Sequence, residues 1–270
     1  MKADINGIIL AYGDRGKGLP LVLVHGFPLC RKMWRPQTEV LAKAGCRVII
    51  PDLRGFGESV LTSGMVSMDI YADDIVALMD HLGIDKAVVG GMSMGGYVLL
   101  NLVERYPDRI AAPIFIVTKA GSDDDAGKAR RTALAEACRV QGVLPVAEAF
   151  RNFLFAPATL TDNPALVDEV CGWMKASDPR GAAAGLIAMR DRKDYVALLG
   201  SISQPALVIG ADQDQAVPVE NSRIIADGLS DAELCILHGS GHMVNLEQPA
   251  RFNEAIMEFL AGLRKKPALF

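Results

Sequence analysis

The chain is predicted to fold as an α/β protein with a mostly parallel sheet flanked by helices. Short apolar β-type runs alternate with helix-length patterns from residue 20 to about residue 117, and this alternation is typical of parallel strands joined by crossover helices. The strand rhythm then stops, because the pattern from about Lys119 to Leu199 is helical only. The sequence therefore predicts an α/β core that is interrupted by one long helical insertion.

The predicted strands can be followed along the chain. The segment from Ile5 to Tyr12, with Asn6-Gly7 near its start, has the pattern of an edge hairpin. Apolar β-type runs then occur at residues 21–24, 48–50, 87–89 and 110–117, and after the insertion at residues 206–210 and 233–237. We expect these runs to form the sheet.

The insertion has its own helix signals. Residues 125–142 are amphipathic, and residues 145–155 predict a second helix. Asn163-Pro164 and Asp178-Pro179 each place a capping residue before a proline at the first helical position. Two more helices are therefore expected to begin at these prolines.

Composition narrows the class of protein. Of the 270 residues, 50% are hydrophobic and 22% are charged, which is enough for one large core or for a core with a lid. The net charge of −4 does not favour nucleic acid or an anionic membrane as a partner. The chain has no apolar run long enough for a membrane span, and its first residues lack the apolar stretch of a secretory signal, so we expect neither feature. Its five scattered cysteines are expected to be reduced, so we expect a cytoplasmic protein.

The most informative motif is G-x-S-x-G at residues 91–95, which lies between a β-type run and a helix-type run. In this context the serine, Ser93, sits on a tight strand-to-helix turn with its hydroxyl exposed at the carboxyl edge of the sheet. The following helix directs free N–H groups and the positive end of its dipole toward the place where an oxyanion would form. The alternative is a glycine-rich connector whose serine only caps the helix.

Candidate acids and bases follow the serine in the chain. Asp212 and Asp214 come after the β-type run at residues 206–210, and His238 and His242 come after the run at residues 233–237. The order serine, aspartate, histidine is the one expected for α/β-hydrolases and differs from the orders in two other large serine-hydrolase folds.

The sequence resembles the α/β-hydrolase superfamily over nearly its whole length. Besides the segments above, His25-Gly26-Phe27-Pro28 is similar to the loop after the family's third strand, and residues 52–59 are similar to its D-x-R-G-x-G-x-S turn. Within the superfamily, the chain is most similar in style to small lidded bacterial esterases, cofactor-free haloperoxidases or perhydrolases, and 3-oxoadipate enol-lactonases. The resemblance implies an eight-stranded α/β-hydrolase core over residues 1–118 and 200–270, and a helical cap domain over residues 119–199, inserted after strand 6.

The resemblance also implies a catalytic triad. Ser93 would be the nucleophile, His242 its base, and Asp214 the residue that orients the imidazole. The backbone N–H groups of Phe27 and Met94 would form the oxyanion hole.

Both the acid and the base have a competitor nearby. Asp214 is preferred to Asp212 because it lies four residues before Pro218, as in the family, and His242 is preferred to His238 because it lies in a Gly-His pair that precedes a helix. His25 is expected to shape the oxyanion loop by hydrogen bonding and not to act as a base.

These residues predict a serine hydrolase that cleaves a small carboxylic ester or lactone through an acyl-enzyme, with no metal or other cofactor. Two alternatives stay open. One is other serine-dependent chemistry, namely C–C bond hydrolysis, perhydrolysis or acyl transfer, and the other is a low-turnover small-molecule receptor. Haloalkane dehalogenases and epoxide hydrolases are disfavoured because their nucleophile is an aspartate and this chain has Ser93. The acyl chain length, the choice between ester and lactone, and the oligomeric state are left open.

Overall fold

Eight strands form one sheet in the computed structural model, which describes residues 1–62 and 66–265. The strands are β1 (Lys2–Ile5), β2 (Ile8–Gly16), β3 (Leu19–Val24), β4 (Cys46–Pro51), β5 (Ala87–Met92), β6 (Ile110–Ile116), β7 (Ala206–Ala211) and β8 (Ala232–Leu237). Their order is β1-β2-β4-β3-β5-β6-β7-β8. β2 is antiparallel to β1 and β4, and every other pairing is parallel. The predicted fold class is confirmed.

Helices connect the strands and cover the sheet. They are α1 (Arg35–Lys43), α2 (Met68–His81), α3 (Met94–Arg105), α4 (Asp125–Gln141), α5 (Leu144–Arg151), α6 (Pro157–Asp162), α7 (Pro164–Lys175), α8 (Pro179–Arg190), α9 (Glu220–Gly228), α10 (Val244–Glu247) and α11 (Pro249–Leu263). In the part of the chain that the structure describes, no helix is long and apolar enough to cross a membrane.

The helices α4 to α8 lie between β6 and β7 in the chain, where the helical pattern was predicted. The two proline starts are confirmed, because the side chain of Asn163 accepts a hydrogen bond from the N–H of Leu166 at 3.2 Å and that of Asp178 from the N–H of Arg180 at 2.8 Å. The helix predicted over residues 145–155 is shorter, since α5 ends at Arg151. Residues 266–270, at the end of the predicted core, lie outside the described residues.

The sheet is buried on both faces. Successive side chains of a strand point to opposite sides, and in β3 Val22 and Val24 join one hydrophobic cluster while Leu21 and Leu23 join another. The first cluster contains residues of α2 and α3, and the second contains residues of α1 and α11. Every residue of the central strands β5, β6 and β7 is buried, as expected for a parallel sheet with helices on both faces.

The start of α3 lies close against the carboxyl end of β3. A Cβ atom added at Gly95 would be 2.3 Å from the carbonyl oxygen of Val24, and one added at Gly91 would be 2.2 Å from the carbonyl oxygen of Gly95. Both contacts are with backbone atoms, which cannot rotate away. Glycine is therefore required on both sides of the turn that holds Ser93.

We predict that Gly95→Ala lowers the free energy of unfolding by at least about 2 kcal/mol, because the added methyl group forces strand and helix apart. Gly172→Ala is the matched control. Gly172 lies exposed in α7 with no atom within 4 Å of an added Cβ, so the same change should stabilise by up to about 1 kcal/mol. Urea unfolding of both variants measures the difference. Equal effects would contradict the steric requirement at Gly95.

Candidate active site

Ser93 has a backbone conformation that few non-glycine residues adopt. It lies between β5 and α3 with φ +52° and ψ −113°, and a positive φ strains the backbone of a residue with a Cβ. Hydrogen bonds hold this geometry. The N–H of Ser93 donates to the carbonyl of Ile116 at 2.9 Å, and its own carbonyl accepts from the N–H of Gly96 at 2.9 Å. The turn is therefore held from both the sheet and the helix.

Thr118 supports the same turn, although the sequence analysis did not single it out. Its hydroxyl donates to the carbonyl of Ser93 at 2.8 Å, and its side chain occupies the space that a Cβ at Gly96 would fill. Thr118 is buried and follows β6. No sequence motif marks this residue, because only the pairing of β5 with β6 brings it to Ser93.

Asp214 and His242 form a buried hydrogen-bonded pair. Oδ2 of Asp214 lies 2.7 Å from Nδ1 of His242, and the exposed fractions of the two side chains are 0% and 5%. Oδ1 of Asp214 accepts hydrogen bonds from the N–H groups of Ala216 at 2.8 Å and Val217 at 2.9 Å. The carboxylate is thus held by the loop after β7, and it orients the ring of His242 in the loop after β8.

The competing residues Asp212 and His238 also pair with each other, but at the surface. Nδ1 of His238 lies 2.9 Å from Oδ2 of Asp212, with exposed fractions of 72% and 34% for the two side chains. A solvent-exposed pair of this kind contributes little energy and does not hold an imidazole firmly. Of the two aspartate–histidine pairs, only Asp214 with His242 is shielded from water, and this favours the assignment made from sequence.

The strand register brings the three residues to one edge of the sheet. Met92 in β5 pairs with Ile116, Ile116 with Ile209 in β7, and Ile209 with Cys235 in β8. Ser93, Asp214 and His242 follow these strands, so all three lie beyond their carboxyl ends. The hydroxyl of Ser93 makes no hydrogen bond to any residue that the structure describes. This is compatible with a role as nucleophile, because the hydrogen bond between a nucleophile and its base is often long until substrate binds.

The loop after β3 lies against Ser93. A Cβ at Gly26 would be 3.4 Å from the Cβ of Ser93, which places Phe27 beside the turn. Within residues 1–62 and 66–265, the backbone N–H groups of Phe27 and Met94 donate to no protein acceptor. Both predicted oxyanion-hole donors are therefore unpaired within the described part of the chain.

His25 connects this loop to the loop after β4. Its Nδ1 lies 2.8 Å from the carbonyl oxygen of Gly26, and its Nε2 accepts a hydrogen bond from the N–H of Leu53 at 3.0 Å. These two contacts require a neutral ring with the proton on Nδ1. Burial lowers the pKa of His25, although the charge of Asp52 acts in the opposite direction. His25 is placed to shape the loop, in agreement with the sequence-based expectation.

Glu247 is a second residue that the sequence analysis did not identify. One of its oxygens accepts from the N–H of Gly241 at 3.0 Å, and the other from the N–H of Ala156 at 2.9 Å and the hydroxyl of Thr159 at 2.6 Å. The N–H of Met243 also donates to the carbonyl of Leu154 at 3.0 Å. The loop that holds His242 is thus tied to the helical insertion.

A cavity of about 480 Å³ lies beside these residues. Its lining includes Gln215 and Ala216, which follow Asp214, and Tyr97 on the first turn of α3. Another cavity, of about 510 Å³, is lined mainly by residues of α2 and α8 and by the segment that follows α8. Neither lining includes Ser93, Asp214 or His242 themselves. We associate the site with the smaller cavity because its lining adjoins Asp214. Among the described residues, no group of three or more histidine, cysteine, aspartate or glutamate side chains could hold a metal ion.

Comparison with known proteins agrees with the α/β fold. A family model described as alpha/beta hydrolase fold matches residues 20–249. The structure superposes on a thermophilic esterase from Thermogutta terrifontis with a TM-score of 0.94 and 37% identity, covering 97% of this chain and 98% of that one. It also superposes on the enol-lactonase from Burkholderia xenovorans LB400 with a TM-score of 0.90 and 27% identity. That match covers 97% of this chain and 100% of the enol-lactonase chain. The curated 3-oxoadipate enol-lactonase 2 of Acinetobacter baylyi is 32% identical over 210 residues, which are 77% of this chain and 76% of that protein.

We predict that His25→Asn has a lower free energy of unfolding than the wild type at pH about 7.5. The difference between the two free energies is expected to be smaller at pH about 5.5. Below the unfolded-state histidine pKa of about 6.5, the unfolded wild type binds a proton at residue 25 that the folded protein rejects. Stability conferred by the neutral ring is therefore lost as the pH falls, by at most about 1.4 kcal/mol per pH unit. Asparagine does not titrate, so the variant lacks this contribution. Urea unfolding at both pH values measures the free energies of unfolding of the wild type and the variant. If their difference is the same at both pH values, His25 is not held neutral in the folded protein.

Proposed function

The chain belongs to the α/β-hydrolase family, and we propose that it is a serine hydrolase that cleaves small carboxylic esters or lactones through an acyl-enzyme. The observation that most supports this proposal is the buried hydrogen bond between Asp214 and His242, 2.7 Å long, at the sheet edge where Ser93 follows β5. An esterase and an enol-lactonase among the similar structures are consistent with this range of substrates.

In the proposed first step, the hydroxyl of Ser93 attacks the carbonyl carbon of the substrate and passes its proton to Nε2 of His242. Asp214 accepts the Nδ1–H of His242, keeps the ring in the tautomer that leaves Nε2 free, and stabilises the imidazolium that forms. The N–H groups of Ala216 and Val217 fix the other oxygen of Asp214. The acid therefore cannot turn away from the imidazole without losing two hydrogen bonds.

The negative charge that develops on the substrate oxygen would be stabilised by the N–H groups of Phe27 and Met94. Each such donor contributes about 3–4 kcal/mol in serine hydrolases. Met94 is the first residue of α3, so the positive end of the helix dipole acts at the same place. The contacts of His25 with Gly26 and Leu53 hold the loop of Phe27 in position.

The tetrahedral intermediate then collapses as His242 returns the proton to the leaving oxygen, which departs as an alcohol or, for a lactone, stays attached to the acyl chain. A water molecule attacks the acyl-enzyme with His242 as the base, and Ser93 is released together with a carboxylic acid. The residues that hold the intermediate are the same in both halves, so no further group is needed.

We also propose that residues 119–199 form a cap over the site. In support, the ring of Phe150 lies 5.8 Å from that of Phe27, and the hydroxyl of Ser177 donates to the carbonyl of Pro28 at 3.0 Å. A Cβ at Gly185 in α8 would lie 3.4 Å from the ring of Phe27. Three segments of the insertion thus contact the loop that is proposed to hold the oxyanion.

The direct test of the proposal is hydrolysis of p-nitrophenyl acetate, butyrate and octanoate by the wild type and by Ser93→Ala. We expect turnover by the wild type, and a loss of at least about 10³-fold in kcat for the variant because the nucleophile is absent. Labelling by a fluorophosphonate, followed by identification of the modified peptide, locates the nucleophile independently. Labelling that persists in Ser93→Ala would overturn the assignment of this residue.

The roles of the two aspartates can be separated by identical substitutions. We expect Asp214→Asn to lower kcat by about 10³–10⁴-fold, because the imidazole loses its orienting carboxylate. The matched control Asp212→Asn removes the same charge two residues away and should change kcat by less than about threefold. It alters the exposed pair with His238, and the asparagine oxygen can still accept the hydrogen bond that Asp212 accepts from the N–H of Gly239. Circular dichroism confirms that both variants are folded. A larger loss in Asp212→Asn would show that the acid has been assigned to the wrong residue.

A further inference from the structure

The cavity beside Asp214 has an excess of positive charge. Its lining includes Lys119, Arg130 and Arg131, and its only described acidic lining residue is Asp123. Lys119 and Arg131 are partly buried, with exposed side-chain fractions of 27% and 19%. The net charge of the chain is −4, so this local excess runs against the charge of the whole protein.

Asp123 does not neutralise these cations, because it pairs with two of them, Lys119 and Arg131, and also with Arg192, which lies outside the lining. Its Oδ1 accepts from Nζ of Lys119 at 2.8 Å and from Nη2 of Arg192 at 2.9 Å, and its Oδ2 accepts from Nε of Arg131. Burial would raise the pKa of Asp123, but the hydrogen bonds from Arg192, Arg131 and Lys119 outweigh it and hold the pKa well below its usual range. One negative charge therefore faces three positive ones.

Two of the arginines keep donors that no acidic residue uses. Nε of Arg131 donates a hydrogen bond to Asp123. Among the described residues, its guanidinium makes one other hydrogen bond, from Nη1 to the sulfur of Met189 at 3.3 Å. Arg130 is exposed, and its side chain has no hydrogen bond or ion pair with any residue that the structure describes. Guanidinium groups with free paired N–H donors bind carboxylates well because the two geometries match.

Three residues or segments of the cavity lining are direct neighbours of the proposed catalytic residues or of residues that contact them. Lys119 directly follows Thr118, whose hydroxyl holds the carbonyl of Ser93. Gln215 and Ala216 directly follow Asp214, and Phe150 packs on Phe27. The cationic lining is therefore connected to Ser93, to Asp214 and to the loop of Phe27 through directly neighbouring residues.

We infer that the substrate is an ester or lactone with a second carboxylate, such as a half-ester of a small dicarboxylic acid, and that its free carboxylate lies against Arg130 and Arg131. This inference rests on the proposed function and adds the substrate class. Charge attraction in a partly buried cavity is stronger than in bulk water but is still weakened by salt. The preference for an anionic substrate is therefore expected to depend on ionic strength.

The test compares monomethyl glutarate with methyl 5-methylhexanoate, in which an uncharged isopropyl group replaces the carboxylate. For the wild type in about 20 mM NaCl, we expect kcat/KM to be at least about tenfold higher for the anionic ester, and the ratio to fall toward one in about 500 mM NaCl. Arg130→Gln and Arg131→Gln should each lower the ratio by at least about threefold, mainly through KM. A ratio near one in the wild type, or one that neither substitution lowers, would overturn the inference.

Arg15→Gln is the matched control. Arg15 is exposed on β2 and forms an ion pair with Glu39. In the strand order, β2 lies next to one edge of the sheet, and β7 and β8 lie at the other edge. This variant removes the same charge, so an unchanged ratio shows that the effect is local. Because each variant is compared on two substrates, a loss of folded protein cancels in the ratio.

Binding of glutarate to Ser93→Ala, measured by titration calorimetry, separates failure of this inference from failure of the proposed function. We expect saturable binding that weakens at least about threefold when Arg131→Gln is added. If neither these esters nor the p-nitrophenyl esters are hydrolysed, but glutarate binds and Arg131→Gln weakens its binding, the proposed function is wrong and the anion site stands. Hydrolysis of both esters at equal rates, without glutarate binding, supports the proposed function and overturns the inference.

Discussion

The structure depends on the turn between β5 and α3, where Ser93 is held at φ +52°. Such a backbone persists only where its surroundings over-determine it. Ile116, Gly96 and Thr118 bind the two backbone groups of Ser93, and the glycines at 91 and 95 let the helix approach the sheet. The same close approach brings the first N–H groups of α3 and the loop of Phe27 close to Ser93. The proposed nucleophile and the proposed oxyanion donors therefore depend on a single packing constraint.

The parallel sheet positions the side chains of Asp214 and His242 near Ser93 in the same way, each in a loop that follows a strand. Each of β5, β7 and β8 ends at the same edge, and the loop after each strand presents one polar side chain there. The two aspartate–histidine pairs consist of the same chemical groups, and they differ in how far they are buried. Asp214 and His242 are shielded from water, whereas Asp212 and His238 are exposed. Only a shielded pair holds one imidazole tautomer in one orientation, which a proton-transferring base requires.

The helical insertion joins the core through polar contacts as well as apolar ones. Glu247 connects the His242 loop to Ala156 and Thr159. Asp123 gathers Lys119, Arg131 and Arg192 where the chain leaves β6 and returns toward β7, and the guanidinium of Arg192 lies 4.2 Å from the ring centroid of Tyr97 on α3. A buried carboxylate with several cationic partners is costly to separate from them. The cluster therefore anchors the insertion and leaves positive charge beside the site.

The sequence by itself determined the α/β class, the presence of a helical insertion between β6 and β7, and the chain order of Ser93, Asp214 and His242. Strand alternation, proline caps and the glycine-flanked serine are local patterns, and a sequence shows them directly. Only the tertiary structure decided which aspartate and histidine are buried together, and only it revealed Thr118, Glu247 and the cations around Asp123. Each of these depends on segments far apart in the chain, such as Thr118 with Ser93 or Glu247 with Thr159. Burial and charge balance are properties of the packed molecule, since they depend on neighbours that no local pattern specifies.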